Sequence, residues 1–184
     1  MGKYITLTII LLTISVVLFS KNRPKIEVYL VNMTSFVDTT ENKTGQYFDC
    51  LESDIPDSSF LTDNDIIGYE IRRNSSEQND RKNFYYIRLN TSGKNKLSEL
   101  KNILLCCGTR FVLTVDRKPI FGGYFWNPLS SFGCAWLTIP ILNSNRIAIL
   151  RGLPYEYFTN KHNDPRGDKR LIEAFQITER LIEN

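Results

Sequence analysis

Apolar and polar positions first alternate regularly at Lys25–Val31, KIEVYLV, which puts Ile26, Val28 and Leu30 on one face of an expected strand. A polar stretch over 34–46 reads as a surface loop, and DIPDSSF as an irregular connection. LTDND, 61–65, reads as a capped turn ahead of the strand IIGYEIR over 66–72. The polar run 73–83 leads from there into a further strand, FYYIRLN, over 84–90. Helical spacing then takes over. Leu97, Leu100, Ile103, Leu104 and Cys107 share one face, Thr91 or Ser92 caps the start, and Gly108 supplies a left-handed stop. RFVLTVD and PIFGGYFW return to the strand pattern, joined by a turn at Asp116-Arg117-Lys118. The loop NPLSSFG and the short apolar runs WLTIPI and RIAIL follow. From Asp164 onward Leu171, Ile172, Phe175, Thr178, Leu181 and Ile182 lie along one stripe, the pattern of an amphipathic helix. Strands on both sides of a central helix, with a second helix late in the chain, predict an α+β domain with helices on one face of a mainly antiparallel sheet.

The start of the chain departs from this periodicity. YITLTIILLTISVVLF, residues 4–19, carries no charge, follows Lys3 and precedes Lys21 and Arg23. That is the layout of a signal peptide, and its 16 residues fall just short of the roughly 17 to 25 of a full membrane span. Leu18 stands where cleavage favours a small residue, Ser20 suits the position before a cut, and no cysteine lies near for lipid attachment. Residues 1–23 are therefore expected to be an N-terminal hydrophobic helix, either an anchor in the cytoplasmic membrane or a cleaved signal. Either way 24–184 forms one extracytoplasmic domain. The net charge is +3, with the basic residues scattered along the chain, which argues against a nucleic-acid partner. Eleven Phe, nine Tyr and two Trp can fill a core.

Gly122 and Gly123 run straight into Tyr124, Phe125 and Trp126, so they read as glycines inside a strand, where a bulge or a second backbone comes close, and not as a phosphate loop. The run FYYIRLNTSGKNKLSELKNILLCCGTRFVLTVDRKPI resembles the head of the periplasmic domain of SecD, a membrane protein of the export machinery. The matching elements are Tyr86 to Leu89, Gly93 through Leu105, Phe111 to Val115 and the turn at Asp116, which carries Arg117 where that pattern has glycine. KIEVYLV, FVLTVDRKPIFGGYFWNPLSS and DPRGDKRLIEAF are in turn similar to small exported bacterial proteins with such a head. Both resemblances imply a ferredoxin-like α+β domain outside the membrane; neither brings an activity with it.

Candidate chemistry is sparse. Cys50, Cys106, Cys107 and Cys134 read as buried thiols, or as a structural bridge such as Cys50 to Cys134, or, for the adjacent pair Cys106 and Cys107, as a thiol redox sensor. The spacing lacks CxxC, and a single histidine gives no zinc ligand set. His162 is the candidate base of a small extracytoplasmic hydrolase, although no GxSxG motif supports it. Asp54, Asp57, Asp63 and Asp65 lack a calcium-loop register and read as turn residues. Arg166-Gly167-Asp168 spells an integrin tripeptide, but Asp164 as a cap, Pro165 in a first turn and Asp168 at a helix start is the better physical account. Tyr124, Trp126, Phe132 and Trp136 form the candidate binding surface, with Tyr124 and Trp126 on one strand face and Phe125 on the other. The expectation is a non-catalytic, membrane-tethered or secreted domain that binds a protein or peptide partner, with no metal or cofactor.

Overall fold

The computed structural model describes residues 23–31, 50–73, 83–103, 108–134, 136–153 and 164–184. The expected N-terminal helix, Cys106, Cys107 and His162 lie outside them. Among the described residues no helix is long and apolar enough to cross a membrane.

Among the described residues the architecture is α+β, with eight strands in two four-stranded sheets. In chain order the strands are β1 (Ile26–Leu30), β2 (Ile66–Arg73), β3 (Asn83–Leu89), β4 (Thr109–Val115), β5 (Lys118–Trp126), β6 (Thr138–Pro140), β7 (Arg146–Ile149) and β8 (Leu181–Glu183); helix α1 is Thr91–Ile103 and α2 is Lys169–Ile177. The first sheet runs β1-β4-β5-β6 and the second β7-β3-β2-β8. Most pairs are antiparallel, while β6 and β8 lie parallel to their neighbours. This division revises the expectation of a single sheet. β3 and β4 flank α1, and a ferredoxin-like βαβ unit would put both in one sheet; here they enter different sheets. A bridge between Thr138 and Leu150 joins the two sheets where β6 meets β7.

One apolar core lies between the sheets. It takes Ile26, Val28, Phe111, Leu113, Phe121 and Phe125 from the first sheet and Tyr69, Ile71, Tyr85, Ile87 and Ile149 from the second. Leu97 and Leu100 of α1 and Leu171, Ala174 and Phe175 of α2 close it, with the Phe175 ring stacked 5.0 Å from that of Tyr69. In β1 the alternation selects Ile26 and Val28 as the inner face, as expected. Gly123 serves the close approach anticipated for it: a Cβ there would stand 2.4 Å from the Leu137 carbonyl oxygen and 2.9 Å from the Phe111 ring.

Three local features depart from the sequence pattern. Asn90 caps α1, one residue ahead of the expected Thr91 or Ser92, its Oδ1 accepting from the Gly93 N–H at 2.8 Å. The β4–β5 turn is a tight two-residue loop in which Asp116 and Arg117 both take positive φ, 51° and 62°. Contacts offset the cost for Arg117. Its guanidinium lies 5.5 Å over the Tyr29 ring and donates to the Ile55 carbonyl, while Asp116 Oδ1 accepts from the Lys25 N–H. The C-terminal stripe is not one helix. The chain leaves α2 at Thr178, Glu179 takes φ 56°, and the Arg180 and Glu179 N–H groups return to the Phe175 and Gln176 carbonyls, a Schellman stop without its usual glycine. Leu181 and Ile182 then pair with Tyr69 and Glu70.

A carboxylate fixes this exit. Arg180 donates to Asp63 Oδ1 at 2.6 Å and to the Asp63 and Ile66 carbonyls, and Asp63 Oδ1 also accepts from the Ile26 N–H at 2.9 Å. Asp65 closes its own turn, accepting from the Thr62 N–H and hydroxyl and from Lys96 Nζ.

Candidate functional site

The second sheet turns one face to the core and the other outward, and strand parity decides what each carries. Core residues Tyr69 and Ile71 of β2 alternate with Gly68, Glu70 and Arg72; Tyr85 and Ile87 of β3 alternate with Phe84, Tyr86 and Arg88; Ile147 and Ile149 of β7 alternate with Arg146 and Ala148. Register assembles the outward set. Arg146 pairs with Arg88, Ala148 with Tyr86, Tyr86 with Glu70, and Phe84 with Arg72. Residues far apart in sequence therefore meet around Glu70.

The Glu70 side chain has no solvent exposure, although it lies on the outward face. Arg72 Nε donates to Oε1 at 2.6 Å, Arg88 Nε to Oε2 at 2.9 Å, and Arg146 donates Nε to Oε2 and Nη2 to Oε1, both at 3.0 Å. Arg88 Nη2 adds a contact to Oε2 at 2.8 Å. The arginines themselves shield the carboxylate and stay accessible, with side-chain exposures of 50%, 40% and 33% for Arg72, Arg88 and Arg146. The Arg146 guanidinium lies 3.5 Å above the centre of the Tyr86 ring, and that of Arg72 lies 6.0 Å away. Burial alone would raise the Glu70 carboxyl. The hydrogen bonds from Arg72, Arg88 and Arg146 outweigh it and hold the group at about 2.

A buried carboxylate needs a cationic partner, and one bidentate arginine supplies both charge and geometry. Glu70 has three arginines. Among the described residues Glu70 therefore leaves two of these three positive charges unneutralised, on side chains already held in place. Phe84, 40% exposed, pairs with Arg72 on this face. Sequence reading missed this site because it looked for charges close together in the chain; the signal available was charge recurring at the outward parity of three strands.

A second ionic group lies deeper and is structural. Arg166, 3% exposed, bonds Asp164 through Nε and Nη2 and the Ile149 carbonyl through Nη1, while Arg151 Nη2 reaches Asp164 at 2.6 Å. Tyr69 donates its hydroxyl to the Arg166 carbonyl at 2.7 Å. Asp164 caps the 3-10 turn Pro165–Gly167, and Asp168 caps α2 by accepting from the Arg170 N–H, as their positions suggest. With Arg166 buried, Arg166-Gly167-Asp168 is not displayed as a tripeptide.

The aromatic candidates are dispersed. Tyr124 and Trp126 share the β5 face opposite the fully buried Phe125, and their rings meet edge to face at 6.1 Å. Trp126 is only 7% exposed, however, and Tyr124 accepts a hydrogen bond from Arg110 Nε at 3.1 Å. Trp136 is half-buried, and Phe132, 62% exposed, stands out on the loop after β5. Cys50 and Cys134 are both buried and stand as free thiols. Cys50 packs with Tyr29, Val31, Ile55 and Val112, while the backbone of Cys134 bridges to Leu153. Burial, with the nearby Asp54 charge, pushes the Cys50 thiol up to about 11, so it is not a nucleophile at neutral pH. Among the described residues no group of His, Cys, Asp and Glu could hold a metal ion, and Asp54, Asp57, Asp63 and Asp65 do not gather. Comparison with family models, curated proteins and solved structures finds no match to this chain.

Proposed function

We propose that this chain is a binding domain that docks a protein or peptide partner on the outward face of its second sheet, without catalysis of its own. The observation that carries the reading is the excess of arginine over the single buried carboxylate, beside the exposed Phe84 ring. Arginine and aromatic side chains are the types that anchor protein interfaces, and a flat sheet face suits an extended partner. The uncharged run over 4–19 supports placing the domain outside the cytoplasm, tethered or secreted. The likeness to a SecD head enters the same proposal only as the chain order β3, α1, β4, turn, β5, with the strands divided between two sheets.

Photo-crosslinking tests it. A benzoylphenylalanine placed at Phe84 in the full-length protein in native membranes is expected to give a discrete protein adduct that Arg72→Ser removes. Adducts from position 132 alone, or adducts at 84 indifferent to Arg72, would overturn the reading.

A further inference from the structure

Resting on that reading, we propose that the segment docked on this face is acidic: an extended stretch of a protein partner whose carboxylates engage Arg72, Arg88 and Arg146 around Glu70. Each guanidinium carries about five N–H donors. Toward Glu70, Arg72 commits one nitrogen, and Arg88 and Arg146 two each. The remaining donors sit on half-exposed side chains whose positions Glu70 and Tyr86 already fix, so an incoming carboxylate meets arginines that need little further ordering.

Three observations favour a protein carboxylate over other anions. Glu70 shows that these guanidinium groups can close on a carboxylate with both its oxygens engaged. Both described helix starts carry a capping side chain, Asn90 and Asp168, whose oxygen already occupies the anion-accepting end, and neither lies among the three arginines. The charged centre is flanked by the exposed Phe84 paired with Arg72, a contact for apolar side chains between the acids. An extended segment repeats its side chains on one side about every 7 Å, which lets successive acids meet arginines on both flanks of Glu70.

The test is fluorescence anisotropy on the full-length protein in detergent, with a labelled peptide of alternating Glu and Val, its Gln-for-Glu counterpart and a single-stranded oligonucleotide as probes. The acidic peptide should bind about tenfold more tightly than the Gln peptide and weaken as salt rises from about 50 to 300 mM. Arg72→Gln should weaken it severalfold. Glu70→Gln should tighten it, because one more positive charge is then uncompensated, whereas loss of structure alone would weaken binding in both variants. Circular dichroism confirms folding of each variant, and Arg72→Gln carries the test if Glu70→Gln fails to fold. Equal binding of the Glu and Gln peptides, or binding of neither, overturns the acidic partner, and a persisting adduct at position 84 would show that the docking face itself stands. Tighter binding of the oligonucleotide overturns the proposal in favour of a nucleic acid.

Discussion

On the outward side of the first sheet Val112 is closed into a small apolar cluster with Tyr29, Val31, Cys50 and Ile55; on the outward side of the second, the central position is Glu70 under three arginines. Both sheets feed the same core by the same alternation, so the difference lies in what covers their backs. Cys50 and Ile55, from the chain after β1, close over Tyr29 and Val112 and make the centre of the first sheet's back apolar. Among the described residues the arginines are themselves the cover of the second. An apolar back, once covered, has no further valence. An arginine cover leaves charge over, and that is why recognition is assigned to the second sheet.

The comparison can be broken hardest at the first sheet. Val112→Asp puts an unpaired carboxylate into a closed apolar cluster and should cost about 4 kcal/mol in urea unfolding; a loss under about 1 kcal/mol would mean that this back is open to water. Glu70→Gln should cost about 3 kcal/mol, since an amide cannot satisfy three converging guanidinium groups. Acid gives a milder version of the same change. The Glu70 carboxyl, held at about 2, is depressed, so its stabilisation is whole above its unfolded value of 4.5 and is lost as pH falls through about 2. With the arginines partly exposed to solvent, this amounts to about 2 kcal/mol. Asp65, also held at about 2 despite burial by bonds from Lys96 and Thr62, titrates over the range below 3.8. Urea midpoints between pH 6 and pH 2 should fall across this window, and the fall should be shallower in Glu70→Gln. The smallest effect has the opposite sign. Glu179→Gly, relieving φ 56°, should gain about 1 kcal/mol and steady the β8 edge of the second sheet.

The positions of β1 to β5 were legible, and where a strand alternates against the core the spacing marks its inner face, as at Ile26 and Val28. Assignment of strands to sheets was not legible. Nothing in the periodicity of β3 or β4 records which neighbour each will pair with, so one sheet was expected where two form. The C-terminal stripe misled for a definite reason. Helical spacing over Leu171–Ile182 continues unbroken in sequence, while the stop rests on a glutamate at positive φ held by long-range bonds from Arg180. The candidate site was hidden in the same way. Glu70 and Arg146 are separated by 76 positions, and only register brings them within bonding distance.

Asp63 links the Ile26 N–H to the Arg180 guanidinium, drawing together parts of the chain that leave the ribosome at quite different times. Arg180 follows Asp63 by 117 positions, so the clasp cannot close until long after Asp63 has been made. A nascent chain stalled short of Arg180 should hold β1 less firmly and be cut there by protease, so this clasp forms only once Arg180 has joined the fold.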